Sequence, residues 1–436
     1  MALYRLGDGC TILHGYAFAG MVESADTALP IVVNIGNFQY DGGFRFGSTR
    51  IQRYSGAYPE RFDLSSGDLL LVMTCQTPAG EILGVPARIP EDGRRYLHNQ
   101  RLGRVRVDRH DELDIGYLYY LFLSRSFNAH LVATATGAKI LHTAPGRIES
   151  YRWSRPPIAE QRRIAAVLSA YDGLVENNLS RIGILEEMAR AIYQEWFVDF
   201  RFPGATGLAS QESMPSGWTR VPIGEVYDGL FDGPHATPPV AIEGPVFLGI
   251  GNITESGRLD LSSVRHIDED DLSAWTKRVS PRRGDIVFTY EATLNRYAMI
   301  PRSFRGCLGR RVALIRLDPA RRCGHYLFLS FFSEDWRRVV ARNTLTGSTV
   351  DRIPLTTFPT FPINLPPLDV LAAFDDIVGP MFDRMEVLDE KIRLLRVTRD
   401  LLLPRLISGE LDVSRVPDPE LPPMPVSQNL GEMGRL

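Results

Sequence analysis

Asp389-Glu390-Lys391 is the only stretch whose residue types and spacing match a catalytic element. An acidic residue, a spacer and a lysine on a strand can present a metal ligand and a cation to a phosphodiester. Here the three residues fall on a helix with a heptad pattern, where a charge cluster is the solvated face. Other signatures of catalysis are missing. No lysine follows a glycine, as a phosphate-cradling loop requires, and there is no H-E-x-x-H or G-x-S-x-G. The Pro-Pro pairs follow Arg155, Thr237, Leu365 and Leu421, not the Asn or Asp of the loop that base-modifying amino-methyltransferases use. The eight histidines are dispersed, and Cys10, Cys75, Cys307 and Cys323 form no C-x-x-C pair. That pattern argues against a zinc site or a disulfide framework and fits a reducing compartment.

What the chain offers is hydrogen-bonding chemistry in loops, presented twice. Thr136-Gly137-Ala138-Lys139 with His142 has its counterpart in Thr346-Gly347-Ser348-Thr349 with Arg352. Glycine lets a backbone approach a ligand closely, and the neighbours supply donors and acceptors. Thr74 and Gln76 in the first half match Tyr290, Asn295 and Arg296 in the second, and Asn99, Gln100 and Arg101 match Arg310 and Arg311.

The elements that must position these groups are duplicated as well. Ile35-Gly36-Asn37, Gly67-Asp68, Thr136-Gly137 and Pro156-Pro157 return in the same order 210 to 217 residues later as Ile250-Gly251-Asn252, Gly284-Asp285, Thr346-Gly347 and Pro366-Pro367. A period this long duplicates a whole domain, whereas solenoid units run about 20–50 residues. Short β-branched runs end in the Gly-Asn turns, and buried-looking strands follow the Gly-Asp turns. Further strands are expected at 102–107 and 312–317, and short helices at 116–124 and 324–333. Gly36, Gly67, Gly251 and Gly284 read as turn formers.

Each half then closes with a heptad seam. Ile164, Leu168, Tyr171, Val175, Asn178, Ile182, Leu185, Ala189, Ile192 and Trp196 alternate by four and three. So do Phe374, Val378, Met381, Met385, Leu388, Ile392, Leu395, Arg399, Leu402 and Leu406. Such a seam predicts a coiled coil, with Asn178 as a register-fixing polar residue. Gly379-Pro380 is expected to break or kink the second helix, so that it begins near Met381. Two seams in one chain can satisfy each other, paired antiparallel. The expected class is α+β: two β-rich domains separated by a pair of long antiparallel coiled-coil helices, with pseudo-twofold symmetry. The expected boundaries are 1–155 and 217–363 for the domains, 156–200 and 364–412 for the helices, 201–216 for a linker and 413–436 for a Pro-rich disordered tail.

The 436 residues suffice for two or three domains. No apolar run is long enough to span a bilayer, so the expected location is the cytoplasm and no membrane partner is expected. Only Lys139, Lys277 and Lys391 are lysines among 49 basic residues. Arginine suits bidentate contact with phosphate and guanine, although genomic base composition explains most of the bias. The net charge of −3 gives no global nucleic-acid signal.

These residues resemble the specificity (S) subunit of type I restriction-modification systems. The likeness rests on Pro156-Pro-Ile-Ala-Glu-Gln-Arg-Arg-Ile leading into a helix with Leu168 and Asp172, and on the repeated Gly-Asn and Gly-Asp landmarks. It rests also on Met214-Pro-Ser-Gly-Trp218 before the second copy and on Leu402-Leu-Pro-Arg-Leu-Ile-Ser-Gly-Glu-Leu at the close. It covers residues 1 to about 414. There are departures: the second copy has Leu368-Asp369-Val370 in place of the Ile-Ala-Glu-Gln entry, and the first copy lacks a Gly-Trp lead.

The resemblance implies a chain without catalytic residues, whose two target-recognition domains each read one half of a bipartite, asymmetric site in double-stranded DNA. It implies that the helices set the unread spacer and dock two methyltransferase (M) subunits, with a restriction (R) subunit as an optional further partner. S-adenosylmethionine, ATP and Mg then belong to the partners, and this chain binds no cofactor or metal itself. On that footing the base-reading candidates are Thr136, Lys139, His142, Gln76, Gln100 and Arg101 in the first domain. In the second they are Thr349, Arg352, Asn295, Arg296, Arg310 and Arg311. Two alternatives stay open at this point: the specificity module of a modification-only or other multisubunit system, and a coiled-coil scaffold whose domains bind proteins.

Overall fold

The computed structural model describes residues 3–24, 26–46, 51–204, 214–261, 263–346 and 350–417. Thr349 with Gly347 and Ser348, residues 205–213 of the expected linker and residues 418–436 of the expected tail lie outside the described residues. The principal helices are α1 (Ile115–Phe122), α2 (Arg125–Thr134), α3 (Ile158–Tyr193), α4 (Gly324–Ser330), α5 (Glu334–Asn343) and α6 (Leu368–Ile407). Two compact units result: Met1–Glu176 with Arg393–Leu436, and Asn177–Ile392. No described helix is long and apolar enough to cross a membrane.

In the first unit an antiparallel sheet runs in the order Cys10–His14, Leu102–Val107, Leu69–Val72, Pro86–Arg88. A second sheet pairs Ile31–Val33 in parallel with Tyr96–His98, and Tyr4–Arg5 pairs with Arg152–Trp153 beside the start of α3. The second unit repeats this plan. Its main sheet runs Gly229–Asp232, Val312–Arg316, Ile286–Thr289, Tyr297–Met299. Ala241–Leu248 pairs in parallel with Gly306–Leu308, and Thr219–Pro222 pairs with Pro362–Leu365. The matching order of the two main sheets, and the parallel pair beside each, make the duplication one of fold as well as of sequence.

The repeated landmarks are turn locks. Gly67 and Gly284 take φ of 84° and 85°, where a side chain is strained. The following Asp68 and Asp285 each accept an N–H from three residues back, at 2.9 Å in both copies. Asn37 and Asn252 do the same for the amides of Asn34 and Gly249, both at 3.0 Å.

The seam residues Ile164, Leu168, Val175, Asn178 and Ile182 on α3 are buried, as are Met385, Leu388, Ile392 and Leu406 on α6. Leu185, Leu395 and Leu402 are half-buried. The two long helices meet inside each unit. In the first unit Asp172 of α3 meets Arg399 of α6. In the second, Trp196, one turn beyond α3, meets Phe374 of α6 with ring centroids 5.8 Å apart. Arg258 of the second unit also bridges Glu186 of α3 to Asp389 of α6, so moving back on one helix is moving forward on the other and they are antiparallel there.

Gly379-Pro380 does not break the second helix, which runs unbroken from Leu368 to Ile407 and contains Pro404 as well. A proline costs a helix about 3 kcal/mol through one lost hydrogen bond and ring crowding. Pro380 lies on the exposed face, and its neighbours Phe374 and Val378 on the other face are fully buried in an aromatic core. Burying two such side chains offsets a cost of that size.

Candidate nucleic-acid interface

In each copy the candidate loops converge on one end of the main sheet. In the first, the amide of Met73, just past the strand Leu69–Val72, donates to the carbonyl of Arg101, and its own carbonyl accepts from Thr143. The next residue, Thr74, pairs with His142, and its hydroxyl lies 3.1 Å from His142 Nδ1. The Thr136 and His142 backbones close the intervening loop with bonds of 2.9 and 2.8 Å. Gly137 has φ of 107°, and a Cβ there would lie 1.9 Å from the Ile140 carbonyl oxygen. Only glycine fits this loop, and it leaves Lys139 at an exposed tip with no acidic partner among the described residues.

The second copy is built alike. The amide of Tyr290 donates to the carbonyl of Arg311, and its carbonyl accepts from Ile353 at 2.7 Å. Glu291 and Leu345 both bridge to Arg352. Gln100-Arg101 and Arg310-Arg311 are therefore true structural counterparts, as are His142 and Arg352.

The candidates divide by role. Gln76, Gln100, Arg101 and Lys139 expose their side chains in the first copy, as do Asn295, Arg310 and Arg352 in the second, while Thr136 is exposed but tied to Arg147. Thr74, Asn99 and Tyr290 are buried and shape the turns instead. The Asn99 side-chain oxygen is consumed by the Arg101 amide at 2.9 Å. Arg296 is tied to Glu255 at 3.0 Å, and Arg311 to Glu291 at 2.9 Å, so neither is a free cation. Arg311 and Asn295 also sit at φ of 66° and 58°, a conformation suited to tight loops.

Sequence reasoning missed three groups. Arg147 donates to the Thr136 hydroxyl at 3.2 Å and braces the first loop. Arg265 joins Arg310, Arg311 and the Ile250-Gly251-Asn252 turn around an open cleft of about 750 Å³ in the second unit. Glu291 pairs with Arg311 at 2.9 Å. An acid two residues after the strand that follows Gly284-Asp285 was the available signal. The result is a polar edge carrying positive side chains in both copies, suited to phosphate and base-edge hydrogen bonds.

Each edge is fixed to the long helices differently. In the first unit Gln161, fully buried on α3, accepts from the Asp114 amide at 3.0 Å and donates to the Glu112 and Pro156 carbonyls at 2.8 Å. Tyr120 on α1 donates to Asp172 at 2.6 Å. Burial, then that hydrogen bond, pushes the phenol far above its ordinary pKa and keeps it a donor. In the second unit the position of Gln161 is taken by the buried Leu371. There Arg258 reaches Glu186 of α3 at 3.7 Å and also pairs with Asp389 of α6, while Arg283 contacts Asp383 and Glu386. Asp389 is thus engaged in holding this domain to its helices.

No family model matches the chain. Two relatives do, both from Methanocaldococcus jannaschii. The MjaIX specificity subunit of a type I restriction enzyme is 23% identical over 308 residues, spanning 69% of this chain and 70% of its own length. The MjaVIII specificity subunit is 22% identical over 315 residues, spanning 70% and 72%. The chain's homologues are type I specificity subunits. Among solved structures, the S subunit of a type I restriction-modification system from M. genitalium matches with a TM-score of 0.54 at 13% identity, over 93% of this chain and 96% of that one. That likeness carries the fold: two similar α+β domains joined by long helices.

Proposed function

We infer that this chain is the non-catalytic DNA-recognition subunit of a type I restriction-modification complex. Each duplicated domain reads one half of a split, asymmetric site through its own polar edge. The supporting observation is that the same sheet end recurs in both units, built by the same hydrogen bonds but tipped with different side chains. Lys139, His142, Gln76, Gln100 and Arg101 face one half-site, and Arg352, Asn295 and Arg310 face the other. Arg147 and Arg311 hold the loops in shape. Thr349 belongs to the second set by its place in the sequence.

The partners follow from the reading. Two methyltransferase subunits supply S-adenosylmethionine, and where the system cleaves, restriction subunits bring ATP and Mg. The cytoplasm is where all of these meet DNA. Single-molecule sequencing of base methylation, with and without this gene, tests the proposal. The expected result is a split, asymmetric motif that vanishes on deletion. An active methyltransferase partner with an unchanged methylome would sink it in favour of a protein-binding scaffold.

A further inference from the structure

A heptad seam is degenerate. Sliding one helix along its partner by seven residues, about 10 Å, again places apolar residues on apolar residues. That distance corresponds to about three base pairs of DNA at 3.4 Å each. A chain that holds two reading domains on such helices needs something that tells one register from the next.

The first unit contains a group of that kind. Arg399 occupies a seam position on α6 and is 9% exposed. Its Nη1 donates to Asp172 of α3 at 2.7 Å, and its Nε and Nη2 donate to Asp400 at 2.9 and 2.8 Å. Nη2 also lies 4.0 Å from Asp41 in the recognition domain. The other oxygen of Asp172 accepts from Tyr120 of α1. One network therefore joins the first recognition domain, the first long helix and the second long helix. The matching positions of the second copy are Leu329, Phe382 and Ala189. There Phe382 packs on Phe328 with centroids 5.7 Å apart, and Ala189 is fully buried. That seam contact is apolar, and the pair of bridges that reaches both helices in this unit, Arg258 to Glu186 and to Asp389, lies off the seam and is more open to water, where ion pairs discriminate weakly.

We propose that Tyr120, Asp172 and Arg399 are positioning residues that fix the register of the helix pair under the first domain, and so make the complex selective for one spacer length. The proposal rests on the recognition function inferred above. A slip of α6 buries Arg399 without Asp172, and a slip of α3 also leaves the Tyr120 donor unmatched, so only one register satisfies all three.

The test uses the complete complex of this chain with its methyltransferase subunits. Methylation rates are measured on duplexes whose spacer is the native length, or one to three base pairs shorter or longer. Wild-type protein should prefer the native spacer strongly. The double variant D172N/R399M removes both charges together and should remain folded by thermal unfolding. Its preference for the native spacer over the best other one should fall at least about tenfold. F382L at the apolar junction should lower stability with no change in that preference. If D172N/R399M does not unfold cooperatively, R399K keeps the charge without the planar fork, and its preference should fall at least about threefold. Wild-type preference in a folded D172N/R399M, or in R399K where that variant is the one read, overturns the proposal. Absence of any split motif for the wild type would instead overturn the recognition reading.

Discussion

The two copies share a strand order, turn locks and a polar edge, yet they are fastened to the helices by opposite means. The first uses polar groups at the seam: buried Gln161 against the start of α1, and half-buried Asp172 between Tyr120 and the buried Arg399. The second buries Leu371, Phe374 and Phe328 at the helix contact, and its ion pairs, from Arg258, Arg283, Arg322 and His325 to acids of α3 and α6, use no seam position. Apolar contact is indifferent to small displacements, whereas a buried ion pair is costly unless its geometry is met. A duplicated fold can thus keep one junction adaptable and make the other exacting.

The largest expected effect comes from breaking the feature the copies share. Val175→Asp in the first unit, or Ile392→Asp in the second, buries an unpaired carboxylate on the seam. Each should cost about 3–5 kcal/mol in chemical denaturation. A cost below about 1 kcal/mol for either would show that its seam position is not closed.

Acid sharpens the contrast between the copies. His98 sits on the parallel strand of the first domain, where burial lowers its pKa to about 4 while Nε2 bonds the Leu102 carbonyl. The matching residue in the second copy is Leu308. The unfolded imidazole takes its proton near pH 6.5, so between pH 6.5 and 4 the unfolded state binds more protons. The first unit should lose about 3 kcal/mol as pH falls through that window. Hydrogen exchange should show the amides of 96–98 losing protection before those of 306–308, and H98L should abolish the difference.

Asp172→Ala separates the junctions more locally. It leaves Arg399 without its partner on α3 but still bonded to Asp400, at a cost of about 2 kcal/mol, since Asp172 keeps some solvent contact. Phe382→Tyr, at the matching place in the second copy, should cost less than about 1 kcal/mol. Equal costs would mean that the polar junction is no more exacting than the apolar one. The smallest effects concern reading itself. Lys139→Ala and Arg352→Ala should each weaken binding by about 1 kcal/mol, and each should relax only its own half-site. Competition binding with duplexes altered in one half would show it, and loss at both halves from either variant would refute the assignment.

The duplication was legible because turn residues are specific: Gly67 and Gly284 have to adopt positive φ, and Asn37 and Asn252 lock the same bend. The seams were legible because heptads repeat at short range. The second helix of each pair, α2 and α5, went unread although Ser124 and Ser333 cap them by accepting from Phe127 and Trp336. Pro380 misled because local propensity says nothing of the aromatic core beneath it. The candidate loops were readable as polar tips, but Glu291 on Arg311 and Glu255 on Arg296 were not, since those pairings depend on how strands cross. The Asp172–Arg399 pair spans 227 residues and leaves no local trace.

Each copy keeps its own hydrophobic core, with the seam residues nearest it included: Ile164, Leu168 and Leu406 in one, Ala189 and Phe374 in the other. Mutational drift at one polar edge is therefore screened from the folding of the other. A lineage carrying this chain can acquire a new preference one half at a time, and the descendants of a single gene can combine old and new halves without renegotiating the core of either.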